Sequence, residues 1–197
     1  MRHPLSHHAM FRCLVPLLVA ATAAAAPLDD LLAAARAQIG VTVEYDPAYV
    51  KLAYPGGDVP ADRGVCTDVV IRAMRKAGVD LQKELHEDMV RDFSSYPKQW
   101  GLKSPDANID HRRVPNLMTF FARHGKKLPV TQDAADYRPG DLVTCLVARN
   151  LPHIMVVSGK VSPADPKRHL IIHNIGDGAQ EEDRLFEFPI TGHFRYF

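Results

Sequence analysis

Cysteine is scarce in this sequence: three among 197 residues, too few for the disulfide framework on which small secreted scaffolds depend. Surplus charge is missing as well. The 24 Lys and Arg side chains face 23 Asp and Glu, which removes the electrostatic case for a nucleic-acid partner or an anionic membrane. The paired C-x-x-C and H-E-x-x-H spacings of zinc sites do not occur, so neither a metal nor another cofactor is expected. No internal repeat and no linker divides the chain. Beyond residue 26 no run is long and apolar enough to cross a bilayer, which takes about 20 residues. At 46% hydrophobic and 24% charged residues, disorder is not indicated.

The first 26 residues read as an export signal. Arg2 and Arg12, with His3, His7 and His8, form a basic front, and Cys13 to Ala26 carries no charge. Small residues between Ala21 and Ala26 suit a signal-peptidase cut. The expectation is a protein secreted to the periplasm, without stable membrane insertion after cleavage. The segment 27–197, about 170 residues long, suits a single domain with its own core.

Within that segment, helices come first and strands second. Apolar residues at helical spacing predict helices over Asp30–Ile39, Cys66–Lys76, Leu81–Phe93 and Asn116–His124. Strand patterns follow over Leu142–Ala148, His153–Val161, His169–Ile175, Leu185–Phe188 and His193–Phe197. That order implies an α+β fold, with N-terminal helices packed on an antiparallel sheet of about five strands.

Cys66 and Cys145 are the cysteines outside the expected leader. Cys145 sits mid-strand and reads as core. Cys66 follows Gly64 at the first turn of an amphipathic helix, where the helix dipole and unpaired N–H groups favour a thiolate and can hold an oxyanion. A nucleophilic thiol needs a base, and the base an orienter. His153 opens one strand pattern and His173 closes the next. A hairpin turning near Pro163 would set them directly opposite each other, and a slip of one residue would offer Asn174 instead. Asp68, in the first turn of the same helix, reads as structural.

The order of helix-start cysteine and two strand histidines resembles that of the NlpC-type cell-wall peptidases, a branch of the papain-like superfamily. Tyr54-Pro55-Gly56-Gly57 is similar to a segment that precedes the nucleophile in those enzymes, and Pro139-Gly140-Asp141 to their entry into the first strand. More closely, the blocks GVCTDVVIRAMRKAGVDLQ, WGLKSPDANIDHRRVPNL, YRPGDLV and IIHNIGDG resemble a bacterial family of secreted proteins of unknown function grouped with those peptidases. The resemblance implies a papain-like cysteine hydrolase, an amidase or endopeptidase acting on peptidoglycan stem peptides or another amide or ester. Cys66 would be nucleophile, His153 base and His173 orienter, with Tyr54 and Asn174 lining the site or donating to the oxyanion. Trp100, Arg112 and Arg113 lie in a loop that the minimal peptidase domain lacks. The arginines could bind a substrate carboxylate, or Asp110 could pair with one of them and pin the loop. An inactive wall-peptide- or protein-binding module and a thiol acyltransferase of the same fold are the alternatives.

Overall fold

The computed structural model describes residues 25–197. The expected leader lies outside the described residues except for its last two positions, which open the first helix. Among the described residues four α-helices form one layer: α1 (Ala25–Arg36), α2 (Cys66–Lys76), α3 (Leu81–Arg91) and α4 (Val114–His124). Helix α2 matches its predicted bounds. Val69, Val70, Ala73 and Met74 are all fully buried, the stripe that the 3.6-residue period demands. Helix α4 starts two residues earlier than its apolar pattern suggests, because Pro115 fits the first turn, where a missing N–H leaves nothing unpaired. Among the described residues no helix is long and apolar enough to cross a membrane.

A two-stranded parallel pair, β1 (Glu44–Tyr45) and β2 (Arg63–Gly64), stands just before α2. The main sheet contains β3 (Lys126–Leu128), β4 (Leu142–Val147), β5 (Leu151–Val161), β6 (His169–Asn174), β7 (Ala179–Glu182) and β8 (Ile190–Arg195). Its order is β3-β8-β4-β5-β6-β7, antiparallel throughout. The α+β architecture therefore holds, with six strands rather than about five.

Two differences from the predicted strands have physical causes. Residues Ala179–Glu182 pair with β6 although three of the four are polar, since the ladder bonds belong to the backbone and not to the side chains. Leu185–Phe188 is not a strand. Leu185, fully buried, and the partly buried Phe186 and Phe188 instead cover the sheet face formed by Val143, Cys145, Met155, Val157 and Ile171. The opposite face, with Leu142, Ile154, Val156, Ile172 and Phe194, packs on the helices. Strand β5 runs through the middle of this sandwich and contributes alternate residues to both cores.

Candidate active site

The chain into α2 is shaped around one ion pair. Gly64 has φ +151°, and a Cβ there would come within 2.9 Å of the Asp68 carboxylate, so the position requires glycine. Asp68 accepts from the Val65 N–H at 2.7 Å, capping the helix start. It is also held by Arg112, with Nε and Nη2 each 2.9 Å from a carboxylate oxygen. Arg112 donates further to the carbonyls of Ala48 and Asp46. Asn174 binds the same turn from the sheet, its Nδ2 donating to the Gly64 carbonyl at 3.0 Å. Asp68 is thus structural, as its position in the sequence suggested, and Arg112 ties three segments together.

Cys66 follows immediately and is 5% exposed. Three backbone N–H groups favour its thiolate, that of Ile154 on β5 most, then those of Thr67 and Cys66 itself. Burial is the largest influence on this thiol and pushes it up to about 11, assisted by the Asp68 charge, against the lowering pull of those N–H groups. The helix start alone therefore does not make a resting thiolate, contrary to the sequence expectation, because desolvation outweighs the helix terminus. Cys145 is fully buried among the sheet's far-side core, its thiol pushed up to about 12. Both thiols are free.

His153 precedes Ile154. Its Nε2 lies 2.8 Å from Nδ1 of His173, and Nε2 of His173 lies 2.8 Å from Oε2 of Glu182. The tautomers follow from the last acceptor. Facing a carboxylate, His173 Nε2 carries the hydrogen, so its neutral ring offers a bare Nδ1. His153 Nε2 must then donate, which leaves the lone pair of His153 on Nδ1. Burial holds His153 down to about 3, with the neighbouring His173 and Arg184 acting in the same direction. Its ring is thus neutral, with Nδ1 able to take up a proton. His173 is lowered too, chiefly by burial, though Glu182 pulls the other way.

The two histidines meet, but not in the expected pairing. In β5–β6, Val156 faces Ile172 and Val157 faces Ile171, two residues out from the register that would set His153 opposite His173. The ladder also shifts between Val157 and Val161. An even offset preserves the face of the sheet, so the imidazoles still touch, edge to face with ring centroids 5.0 Å apart. Asn174 points to the other face and holds Gly64 in place.

Two cavities adjoin the site and share Tyr45 and Pro152. The first, about 280 Å³, contains Cys66, Trp100 and Arg113. The second, about 350 Å³, contains His153, Arg184, Leu151 and Phe188. Tyr54 lines neither: it is 45% exposed and packs edge-on against His86 of α3, ring centroids 5.2 Å apart. The tyrosine near the thiol is Tyr45, which pairs with Gly64 through β1–β2. Burial, then the Cys66 and Asp68 charges, raise its phenol, so its hydroxyl stays protonated at neutral pH. Only the V-T-V-E-Y alternation before it hinted at this placement. Arg113 pairs with Asp110 at 3.1 Å and lies over the Trp100 ring, 4.2 Å from its centroid. Among the described residues no group of three or more His, Cys, Asp or Glu converges as a metal site.

The molecule is thus an α+β protein in which a helix-start cysteine packs with Ile154 on one face of β5, while His153, paired with His173 and anchored by Glu182, lies opposite Cys145 on the other. The chain belongs to the family described as a domain of unknown function, DUF1287, whose model matches residues 32–196. It is similar to the uncharacterized protein YijF of Escherichia coli (strain K12), with 58% identity over 164 residues, which cover 83% of this chain and 78% of that protein.

Proposed function

We propose that this chain is a cysteine hydrolase of the papain-like, NlpC type, exported to the cell envelope and cleaving amide bonds in peptidoglycan stem peptides. The observation that carries the reading is the ordered line Glu182–His173–His153, which leaves the base lone pair on His153 Nδ1. The residue after that base, Ile154, has a backbone N–H that favours the Cys66 thiolate.

With the thiol raised and the imidazole lowered, the resting pair is neutral. Attack on a carbonyl then couples two events: the S–C bond forms while the thiol proton passes to His153 Nδ1 across the rim at Pro152 that the two cavities share. Charge gathering on the carbonyl oxygen is met by backbone N–H donors at the α2 terminus and by the Tyr45 hydroxyl. The same proton passes to the departing amine as the C–N bond breaks, leaving a thioester on Cys66. Water, deprotonated by His153, releases the acid and restores the thiol. His173 and Glu182 are positioning residues that fix the base tautomer.

A second reading, a binding module without turnover, is favoured by one observation: the thiol is 5% exposed and pushed up to about 11. Incubation of the purified chain with defined muropeptides, beside Cys66→Ala and His153→Ala, separates the two. New cleavage products that both substitutions abolish are the expected result. An unchanged peptide profile with folded wild type would remove the hydrolase reading.

A further inference from the structure

Adjacent arginines in one loop have opposite degrees of engagement. Arg112 is 7% exposed and spends its guanidinium on Asp68 and the carbonyls of Ala48 and Asp46. Arg113 makes one ion pair, Nη1 to Oδ1 of Asp110 at 3.1 Å, and is otherwise spread over Trp100. Its Nε and Nη2 have no protein acceptor among the described residues, and neither is a sealed-off buried atom. The cavity that Arg113 borders is the one that holds Cys66 and also has Gln99 and Tyr45 in its wall. A guanidinium seated over an indole and anchored through one Nη keeps Nε and the other Nη as the two donors that a carboxylate accepts in parallel.

We propose that Arg113, laid over Trp100, is the specificity-determining residue that binds a carboxylate of an acidic peptide beside the Cys66 thiol. Asp110 fixes the guanidinium from behind, and Arg112 plays no part in recognition. Calling that peptide a substrate rests on the hydrolase reading above, whereas its binding does not.

Trp100 is the only tryptophan in the sequence, so indole emission reports on this cavity alone. In the full chain carrying Cys66→Ala, emission is titrated with a synthetic stem tetrapeptide bearing free carboxylates and with the same peptide fully amidated. Saturable quenching or enhancement is expected for the acid form, with at least tenfold weaker binding of the amide. Arg113→Gln should erase that preference, and Arg113→Lys, which keeps the charge for Asp110, should retain only part of it. Acid and amide forms binding within twofold of each other in the unsubstituted loop would overturn the proposal without any variant having to fold. So would a preference that survives Arg113→Gln, or a stronger response to inorganic phosphate than to the acid peptide. Cleavage of both peptides at equal rates by the wild type would remove Arg113 and leave the hydrolase. Selective binding without any cleavage would do the reverse.

Discussion

Nε2 of His153 and Nδ1 of His173 stand 2.8 Å apart, sharing a single hydrogen whose side is decided by Glu182 at the far end of His173. Removing the carboxylate removes that decision. In Glu182→Ala, His173 can turn its hydrogen toward His153 and spoil the base that the proposed mechanism needs. Turnover on a stem-peptide substrate is expected to fall about tenfold or more with KM little changed, whereas His153→Ala should lose about 10²- to 10⁴-fold. Steady-state kinetics on the three proteins checks the order, and a Glu182→Ala enzyme as fast as wild type would contradict it.

Alkylation of Cys66 by iodoacetamide should climb with pH through the alkaline range toward about 11, since burial opposes the thiolate. A rate already high and flat between pH 5 and pH 8 (on the order of a fully ionised thiol) would mean a preformed ion pair instead. Mass spectrometry of the modified peptide separates Cys66 from Cys145.

The Asp68–Arg112 pair is buried on both sides, so removing one member strands the other. Arg112→Ala should destabilise the chain by about 3–5 kcal/mol. Arg112→Ala combined with Asp68→Ala should cost less than the sum of the singles. Urea denaturation of the four proteins tests the coupling.

Gly64→Ala introduces a Cβ into the Asp68 carboxylate at a φ that side chains resist. A loss of about 1–3 kcal/mol is expected, with slower reaction at Cys66 because the same turn sets the thiol. Equal stability and equal thiol reactivity in the variant would show that the turn can yield.

Acid should unfold this protein early. Burial holds the rings of His111 and His153 down to about 3, with Arg112 next in importance at His111 and His173 at His153. The unfolded chain takes up those protons near the ordinary value of 6.5. Their contribution is therefore complete above pH 6.5 and drains away as pH falls toward 3. His111 Nδ1 is also buried without a partner. His111→Leu should flatten the decline, gaining on the order of 2–3 kcal/mol over wild type at pH 4. Thermal midpoints measured at pH 7 and pH 4 report the difference.

What could be read beforehand was whatever one segment dictates by itself. Helix α2 followed from the spacing of Val69, Val70, Ala73 and Met74, and β4, β5, β6 and β8 from their apolar patterns. The contact of His153 with His173 was legible because it depends on the parity of the register; the register itself was not read, although Gly159 lies inside the stretch between Val157 and Val161 where the ladder shifts. Tyr45 and Glu182 escaped notice because their strands carry weak signals, one only two residues long and the other a polar edge strand that hairpins onto β6. Arg112 and Arg113 could not be told apart until their partners were known. Asp110 does take one of them, but Asp68 takes the other.

Strand β5 supplies both the group that would accept the thiol proton, at His153, and the next backbone N–H, at Ile154, that favours the thiolate. Acceptor and donor are consecutive beads on one thread, which β4 pairs along 151–156 and β6 joins from Val156 onward. A displacement of that thread against α2 would detune both at once, so mutations that loosen distant parts of the sheet should surface as lost chemistry before they surface as lost fold.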